Sequence, residues 1–169
     1  PREHGSIHSG LGYVAPRIEL QSQPVAFYFN NQLVGNYGVK YARGHLDVGY
    51  QDRLMDVRLG PFAGWLRASP DFGALNLPAF DLIQAGFTGR ALVDRLDDTD
   101  FPKNGYLGLA RAFSTQYAMG SEDQYTKADA SLLGAVSWKR HTLSAGLSAG
   151  GVLSGALPAY DPHLLRGLQ

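Results

Sequence analysis

Cysteine is absent from this chain of 169 residues. Its absence excludes structural disulfides, thiolate metal sites and cysteine nucleophiles. There is also no excess of charge, because 15 basic residues balance 15 acidic ones, so the composition does not indicate a nucleic-acid partner. The sequence lacks any run of about 18 apolar residues, so it contains no candidate for a membrane-spanning helix.

Glycine and aromatic residues are abundant instead. The chain has 21 glycines, nine tyrosines and eight phenylalanines, and only 18% of its residues are charged. This combination favours twisted, closely paired strands. The mean hydropathy of −0.17 is compatible with a membrane protein built from strands, because a spanning strand turns only every second side chain toward lipid.

Apolar residues alternate with small or polar ones along two adjacent segments, 127–138 and 141–150, and a period of two is typical of strands. In the second segment one face is formed by Leu143, Ala145, Leu147 and Ala149. The short link Lys139-Arg140 between the segments predicts a hairpin. Trp138 precedes this turn, where an interfacial aromatic residue is expected.

Two earlier segments, Leu54–Arg67 and Phe80–Leu96, repeat the alternation with charges on the polar face. Buried charge is costly in the core of a soluble sandwich, whereas the wet inner wall of a wide barrel accepts it while the apolar face contacts lipid. We therefore expect a lumen-facing set consisting of Arg58, Arg90, Asp56, Asp94, Lys127 and Asp129, with Arg43, Arg67 and Asp47 as further members.

Three more strands are predicted with less regular patterns. Tyr13–Phe29 is expected to be interrupted or kinked by its prolines, Asn30-Asn31-Gln32 forms a turn, and Gly38–Gln51 follows. In Tyr106–Tyr117 the alternation does not decide which face is polar. The fold class is therefore all-β, an antiparallel up-and-down meander of about seven strands, most of them longer than the ~9–11 residues needed to cross a bilayer. Short turns alternate with longer loops, as in outer-membrane barrels.

Several motifs resemble the barrel of the bacterial surface-antigen (BamA-like) superfamily, and within it the barrel of patatin-like type V self-translocating phospholipases. The motifs are Tyr13–Glu19, Leu46–Tyr50, Asp56–Gly60 and, most specifically, Asp94–Tyr106. The last motif is similar to the short periplasmic turn of that family, which the resemblance places at Asp97, Asp98, Phe101, Pro102 and Gly105. Proline cannot extend a strand ladder, and glycine permits the bend that starts the next strand.

The resemblance implies that residues 1–169 are part of a sixteen-stranded outer-membrane barrel domain, with residues 1–11 irregular. The expected function is that of a translocator or insertase segment, whose polar lumen serves polypeptide secretion or membrane-protein assembly. Expected partners are outer-membrane lipid, the handled polypeptide and the missing barrel strands. No cofactor, metal or active site is expected in this chain, because hydrolase activity in that family belongs to a separate patatin domain.

Two other functions compete with this interpretation. Gly146–Gly150 matches the G-x-S-x-G motif of serine esterases, with Ser148 as nucleophile and Asp161 and His163 following in the hydrolase order. The alternation continues through the motif and no helical pattern follows it, which argues against a nucleophile elbow. A soluble lipocalin-like ligand binder also has alternating strands. The run Asp94–Asp100 does not have the spacing of a known calcium loop.

Overall fold

The computed structural model describes residues 10–29, 32–73, 79–98 and 100–156. It contains seven strands and one short 3₁₀ turn, Tyr117–Met119. The strands are β1 (Leu11–Phe29), β2 (Gln32–Gln51), β3 (Met55–Gly73), β4 (Phe80–Asp94), β5 (Gly105–Thr115), β6 (Tyr125–Trp138) and β7 (His141–Gly155). They form a single antiparallel sheet in chain order, with β1 and β7 at its edges. The predicted all-β meander is confirmed, and the sheet is open.

The prediction that prolines interrupt the first strand is wrong. β1 pairs with β2 without a break at Pro16, opposite Leu46, or at Pro24, opposite Gly38. The carbonyl oxygen of Leu46 points toward Gly60 of β3, so Leu46 directs its hydrogen-bonding groups away from β1. Pro16 therefore faces the open edge, where its missing N–H removes no ladder hydrogen bond.

The first three strands are also longer than predicted, at 19, 20 and 19 residues. Each of them pairs over most of its length with its neighbour, so the backbone groups of each extension are bonded by the other strand. Residues 1–9 and the turn residues Asn30 and Asn31 lie outside the described residues, and β1 begins at Leu11, the last residue of the segment expected to be irregular.

The two faces of the sheet differ in composition as the alternation predicted. One face exposes large apolar side chains, among them Leu59 at 61% and Leu132 at 51% exposure. Other exposed members of this apolar set are Val14, Ile18, Leu46, Val48, Val57, Ile83, Phe87, Val136, Leu143 and Leu147. The opposite face carries most of the charged side chains of β1 to β6, and many of them line a single cleft. Nearer the other end of the strands the same face holds a buried apolar cluster of Val39, Leu66 and Ala68.

The sheet curves around its charged face. The rings of Phe62 on β3 and Phe113 on β5 stack with centroids 4.8 Å apart, whereas strands two positions apart in a flat sheet are separated by about 9.5 Å. Arg43 of β2 reaches the ring of Phe113, three strands away, at 5.0 Å. We call this charged side the concave face and the apolar side the convex face.

Successive connections lie at opposite ends of the sheet. Asp52–Leu54, the segment Arg95–Asn104 and the hairpin Lys139-Arg140 share one end, which we call the turn end. The connection between β5 and β6 lies at the other end, the loop end, and bonds back to β4 through Gln116 N to Ala85 O at 2.9 Å. The segment that resembles a periplasmic turn therefore lies at the same end as two short connections, while the equally short link between β1 and β2 lies at the loop end.

Candidate functional site: the charged concave face

Three arginines form a lateral row across the middle of the concave face. Arg58 is in register with Arg90, and Arg90 is in register with Arg111. The next residue in the row, Asp129 of β6, pairs with Arg111 through Nη2 and Oδ2 at 2.8 Å. Cross-strand neighbours on one face have Cβ atoms about 4.5–5.5 Å apart, so the register alone brings these charges together.

These residues line one cleft of about 560 Å³. Six cationic side chains contribute to its wall, and only three carboxylates do. The cations are Arg17, Arg43, Arg58, Arg90, Arg111 and Lys127, and the carboxylates are Glu19, Asp47 and Asp129. Four of the six residues expected to face a lumen, Arg58, Arg90, Lys127 and Asp129, are thus brought together. The cleft is positively charged.

The other two expected residues lie closer to the turn end of the same face. Asp56 accepts a hydrogen bond from the hydroxyl of Tyr13 at 2.8 Å. Asp94 ends β4, and its Oδ1 accepts a hydrogen bond from Leu96 N at 3.1 Å. Neither lines the cleft of the arginine row. Because the sheet is open, a lumen for this face stays a prediction.

Arg67 was expected on the inner side, and this is wrong. It shares the parity of Trp65 on the convex face and bonds Asp81 of β4 through Nη2 and Oδ2 at 2.6 Å. Both side chains are exposed. They lie two residues beyond Trp65 toward the loop end, so this charged pair marks where the apolar part of the convex face stops.

The structure shows which side chains of β5 point to the concave face, a question that the sequence left open. Arg111 and Phe113 of β5 line the concave cleft, and the hydroxyl-bearing Tyr106 has the opposite parity and is exposed. The register with β4 fixes this choice, because Arg111 is opposite Arg90. The alternation of β5 alone contains too few polar residues to decide it.

An aromatic cluster beside the arginine row was missed by sequence reasoning. The ring of Phe62 stacks between His45, at 5.6 Å, and Phe113, at 4.8 Å. The guanidinium of Arg43 lies 4.1 Å from the ring of Tyr41, and its Nη2 donates to Gln84 Oε1 at 2.6 Å. Phe62 has the same parity as Arg58 in β3, and this was the signal available in the sequence.

Arg17 and Glu19 of β1 hold the wall of the cleft against β2. Arg17 lies 3.3 Å from Glu19 Oε2 and 3.4 Å from Asp47 Oδ2. His45 Nε2 is 3.2 Å from the same Glu19 oxygen, but neither of its ring nitrogens makes a hydrogen bond within the described residues. The carboxylates at this level are therefore already engaged by Arg17.

The segment Arg95–Asn104 forms an ordered turn. Asp97 Oδ1 accepts hydrogen bonds from Lys103 N at 2.8 Å and Asn104 N at 3.0 Å. These backbone N–H groups lower the pKa of Asp97 below its ordinary value. Asp98 accepts in the same way from Phe101 N and Asp100 N, and these bonds lower its pKa. Asn104 Oδ1 accepts from Ser137 N at 3.1 Å and joins the turn to β6.

The esterase motif and the potential metal ligands do not form a second site within the described residues. Ser148 lies in the middle of β7, in register with Ser131, rather than on a turn from strand to helix. Asp161 and His163 fall outside the described residues. Among described residues no group of three or more His, Asp or Glu side chains is arranged to hold a metal ion.

The convex face carries tyrosine and tryptophan at two levels. Tyr50, Tyr106 and Trp138 are exposed near the turn end, Trp65 is exposed toward the loop end, and Phe87 is exposed between them. Tyr50 is in register with Val57, eight residues before Trp65 on β3. Eight residues of strand span about 27 Å.

Comparison of the chain with models of known protein families, with curated proteins and with solved structures gives no match. None of the helices in the described part of the chain is long and apolar enough to cross a membrane.

Proposed function

We propose that this chain forms part of the wall of a transmembrane β-barrel in a bacterial outer membrane. Its convex face contacts lipid, and its concave face lines a polar lumen. The observation that carries the proposal is the relation between curvature and polarity: the outside of the bend is apolar, and the inside carries the charged cleft together with a buried apolar cluster of Val39, Leu66 and Ala68 nearer the loop end. A soluble ligand-binding barrel has the reverse arrangement, with apolar side chains lining the concave side.

The two aromatic levels of the convex face support this proposal. Aromatic residues are enriched at both membrane interfaces, and the apolar band of outer-membrane barrels is about 25 Å tall. At a typical barrel tilt, the eight residues from Val57 to Trp65 span about 20 Å along the membrane normal, which is close to that height. The exposed Arg67–Asp81 pair lies beyond Trp65, where a membrane-embedded strand would re-enter water.

The connections between strands indicate which end of the sheet faces the periplasm. Outer-membrane barrels have short turns on the periplasmic side and longer loops outside. The hairpin Lys139-Arg140 and the turn Asp52–Leu54 lie at the end that also carries Arg95–Asn104. The link between β1 and β2 at the loop end is also short, so the assignment of the turn end to the periplasm rests on the resemblance of Arg95–Asn104 to a periplasmic turn.

Within outer-membrane barrels we assign the chain to the surface-antigen superfamily, closest to the barrel of patatin-like type V phospholipases. The support for this assignment is the motif Asp94–Tyr106, whose acidic residues and Gly105 form the turn described above. The corresponding function is to provide a polar path for secretion or membrane insertion of a polypeptide. The strands that complete the ring pair with the open edges of β1 and β7.

The two tryptophans of the chain, Trp65 and Trp138, give a direct test. The chain is folded into vesicles whose lipids carry bromine on their acyl chains, and tryptophan fluorescence is measured. Both residues are expected to be quenched by the brominated lipid. The matched control replaces both by phenylalanine and introduces Thr88→Trp on the concave face, where we expect quenching by aqueous acrylamide instead.

Quenching of the tryptophan at position 88 by brominated lipid, with Trp65 and Trp138 open to acrylamide, would overturn the proposal. That result would place the apolar face away from lipid. A chain that remains monomeric in water without detergent contradicts the proposal as well, because unpaired edges and a large apolar surface promote association.

A further inference from the structure

The arginine row Arg58–Arg90–Arg111 combines like charges in direct cross-strand register. Like charges placed directly opposite each other destabilise a sheet. Uncharged polar side chains would also fit at these three positions, because all of them line an open cleft. An arrangement that disfavours the empty sheet points to a negatively charged occupant of the cleft.

The described residues do not neutralise this row. Arg111 is paired with Asp129, but Arg58 and Arg90 make no ion pair or hydrogen bond within the part of the chain that the structure describes. The remaining carboxylates of the cleft, Glu19 and Asp47, contact Arg17. Two guanidinium groups on adjacent strands are therefore available for an external anion. Each guanidinium can bind one carboxylate through two parallel hydrogen bonds.

The size and lining of the cleft around the arginine row favour a polypeptide over a simple ion as its occupant. The cleft of about 560 Å³ reaches from β1 to β6, far more than one anionic group fills. Immediately beside the arginines, the partly exposed ring of Phe113 lines the same cleft and offers it an apolar surface. An occupant with several carboxylates and apolar groups between them matches both features. The concave position excludes the bilayer lipids that contact the opposite face.

We propose that Arg58 and Arg90 form a binding site for an acidic polypeptide segment that lies across the concave face. This inference rests on the proposed function only for the location of the segment inside the barrel. The carboxylates of the segment pair with the two guanidinium groups, and its apolar side chains contact the ring of Phe113. Occupancy removes the repulsion within the row.

Binding is measured with the full chain folded in detergent micelles. The probe is a fluorescein-labelled peptide with four glutamates alternating with leucines, and its counterpart with glutamines serves as the uncharged control. Fluorescence anisotropy is expected to show binding of the acidic peptide only, weakening as salt is added because the site is solvent-accessible. Inorganic phosphate is the second arm, and it is expected to compete only at concentrations far above those of the peptide.

The decisive variant is the double substitution Arg58→Gln and Arg90→Gln. Its affinity for the acidic peptide is expected to fall at least about tenfold, since two charge-assisted contacts are lost. The matched control is Arg67→Gln, which removes an arginine from the convex face and is expected to retain affinity. Far-UV circular dichroism confirms that both variants keep the sheet.

Three outcomes would overturn the inference: no binding of the acidic peptide, equal loss in both variants, or displacement by phosphate at the same concentration as the peptide. The quenching experiment in brominated vesicles is independent of these results. If the chain inserts but does not bind the peptide, only this inference fails. If it binds the peptide but does not insert, the proposed function fails and the anion site stands.

Discussion

The guanidinium of Arg43 lies 5.0 Å from the ring of Phe113, although the two residues belong to strands separated by two others. In a flat sheet such strands are about 14 Å apart. The contact therefore reflects both the curvature of the sheet and the length of the arginine side chain, and it links the aromatic cluster to the cleft. Gln84 of β4, one of the two strands between them, accepts from Arg43 at 2.6 Å and holds the guanidinium in place.

Replacing Phe113 should reveal how much the aromatic cluster contributes to stability. Phe113→Ala removes contacts with Phe62, Arg43 and Lys127, and we expect the free energy of unfolding to fall by about 2–3 kcal/mol. The measurement is urea unfolding in lipid vesicles. Phe87→Ala on the convex face is the control, with a smaller expected loss because, under the proposed function, lipid would fill the space. Equal losses would argue against a packed cluster on the concave face.

Relief of charge repulsion should make Arg90→Gln more stable than the parent in the absence of acidic peptide. Arg90 is opposite both Arg58 and Arg111, and we expect a gain of about 0.5–1 kcal/mol. Arg111→Gln is the matched control, and it should destabilise the chain because it leaves Asp129 without its partner. Urea unfolding at low salt measures both, and a loss of stability in Arg90→Gln would contradict the repulsion argument.

Two glycines with positive φ allow the energetic cost of backbone strain to be distinguished from that of a steric collision. Gly105 has φ 114° and a Cβ there would collide with the carbonyl oxygen of Arg95, whereas Gly120 has φ 89° and open space around it. Both alanine variants are strained, at about 1 kcal/mol for the conformation alone. We expect Gly105→Ala to lose at least about 1 kcal/mol more, measured by thermal unfolding in micelles. Equal losses would show that the turn relaxes around the added methyl group.

The order of the Arg95–Asn104 turn should depend on acidity. Because backbone N–H groups of Lys103 and Asn104 hold the pKa of Asp97 below the ordinary 3.8, ionised Asp97 favours the ordered turn. The contribution is complete above the pKa of the unfolded chain and is lost as pH falls through the lower folded value. Amide protection factors of Lys103 and Asn104, followed by hydrogen exchange, should therefore decrease only below about pH 3.8.

Asp97→Asn is the control for this titration, since its amide oxygen still accepts a hydrogen bond but does not ionise near that pH. We expect weaker protection that no longer changes with acidity. A pH dependence that persists in the variant would assign the effect to another carboxyl group, such as Asp98, whose pKa is lowered by Phe101 N and Asp100 N.

Alternation along the sequence correctly predicted strands near their observed positions and the apolar face of each regular one. Residues 141–150 are an example, because their period of two appears unchanged in β7. Side-chain parity is a local property of an extended chain, so no tertiary information is required to find it. Phe80–Leu96 was predicted to within two residues of β4 for the same reason.

The predictions that failed depended on relations between strands. Pro16 is harmless because β1 is an edge strand and the proline faces its open side. Arg67 was placed inside although its parity with Trp65 puts it outside, where Asp81 on the neighbouring strand pairs with it. The facing of Arg111 followed only from its register with Arg90. Register is a long-range property that pairing decides.

By itself, the sequence determined that this protein is built from antiparallel strands with one apolar and one polar face, since residue order alone sets which side chains alternate. Only the tertiary structure decided which face lies inside the bend and which charges meet there. Arg58, Arg90 and Arg111 are separated by 32 and 21 residues in the chain, and only strand pairing places them in one row. Curvature then closes the cleft around them, because side chains from distant strands converge on the concave side alone.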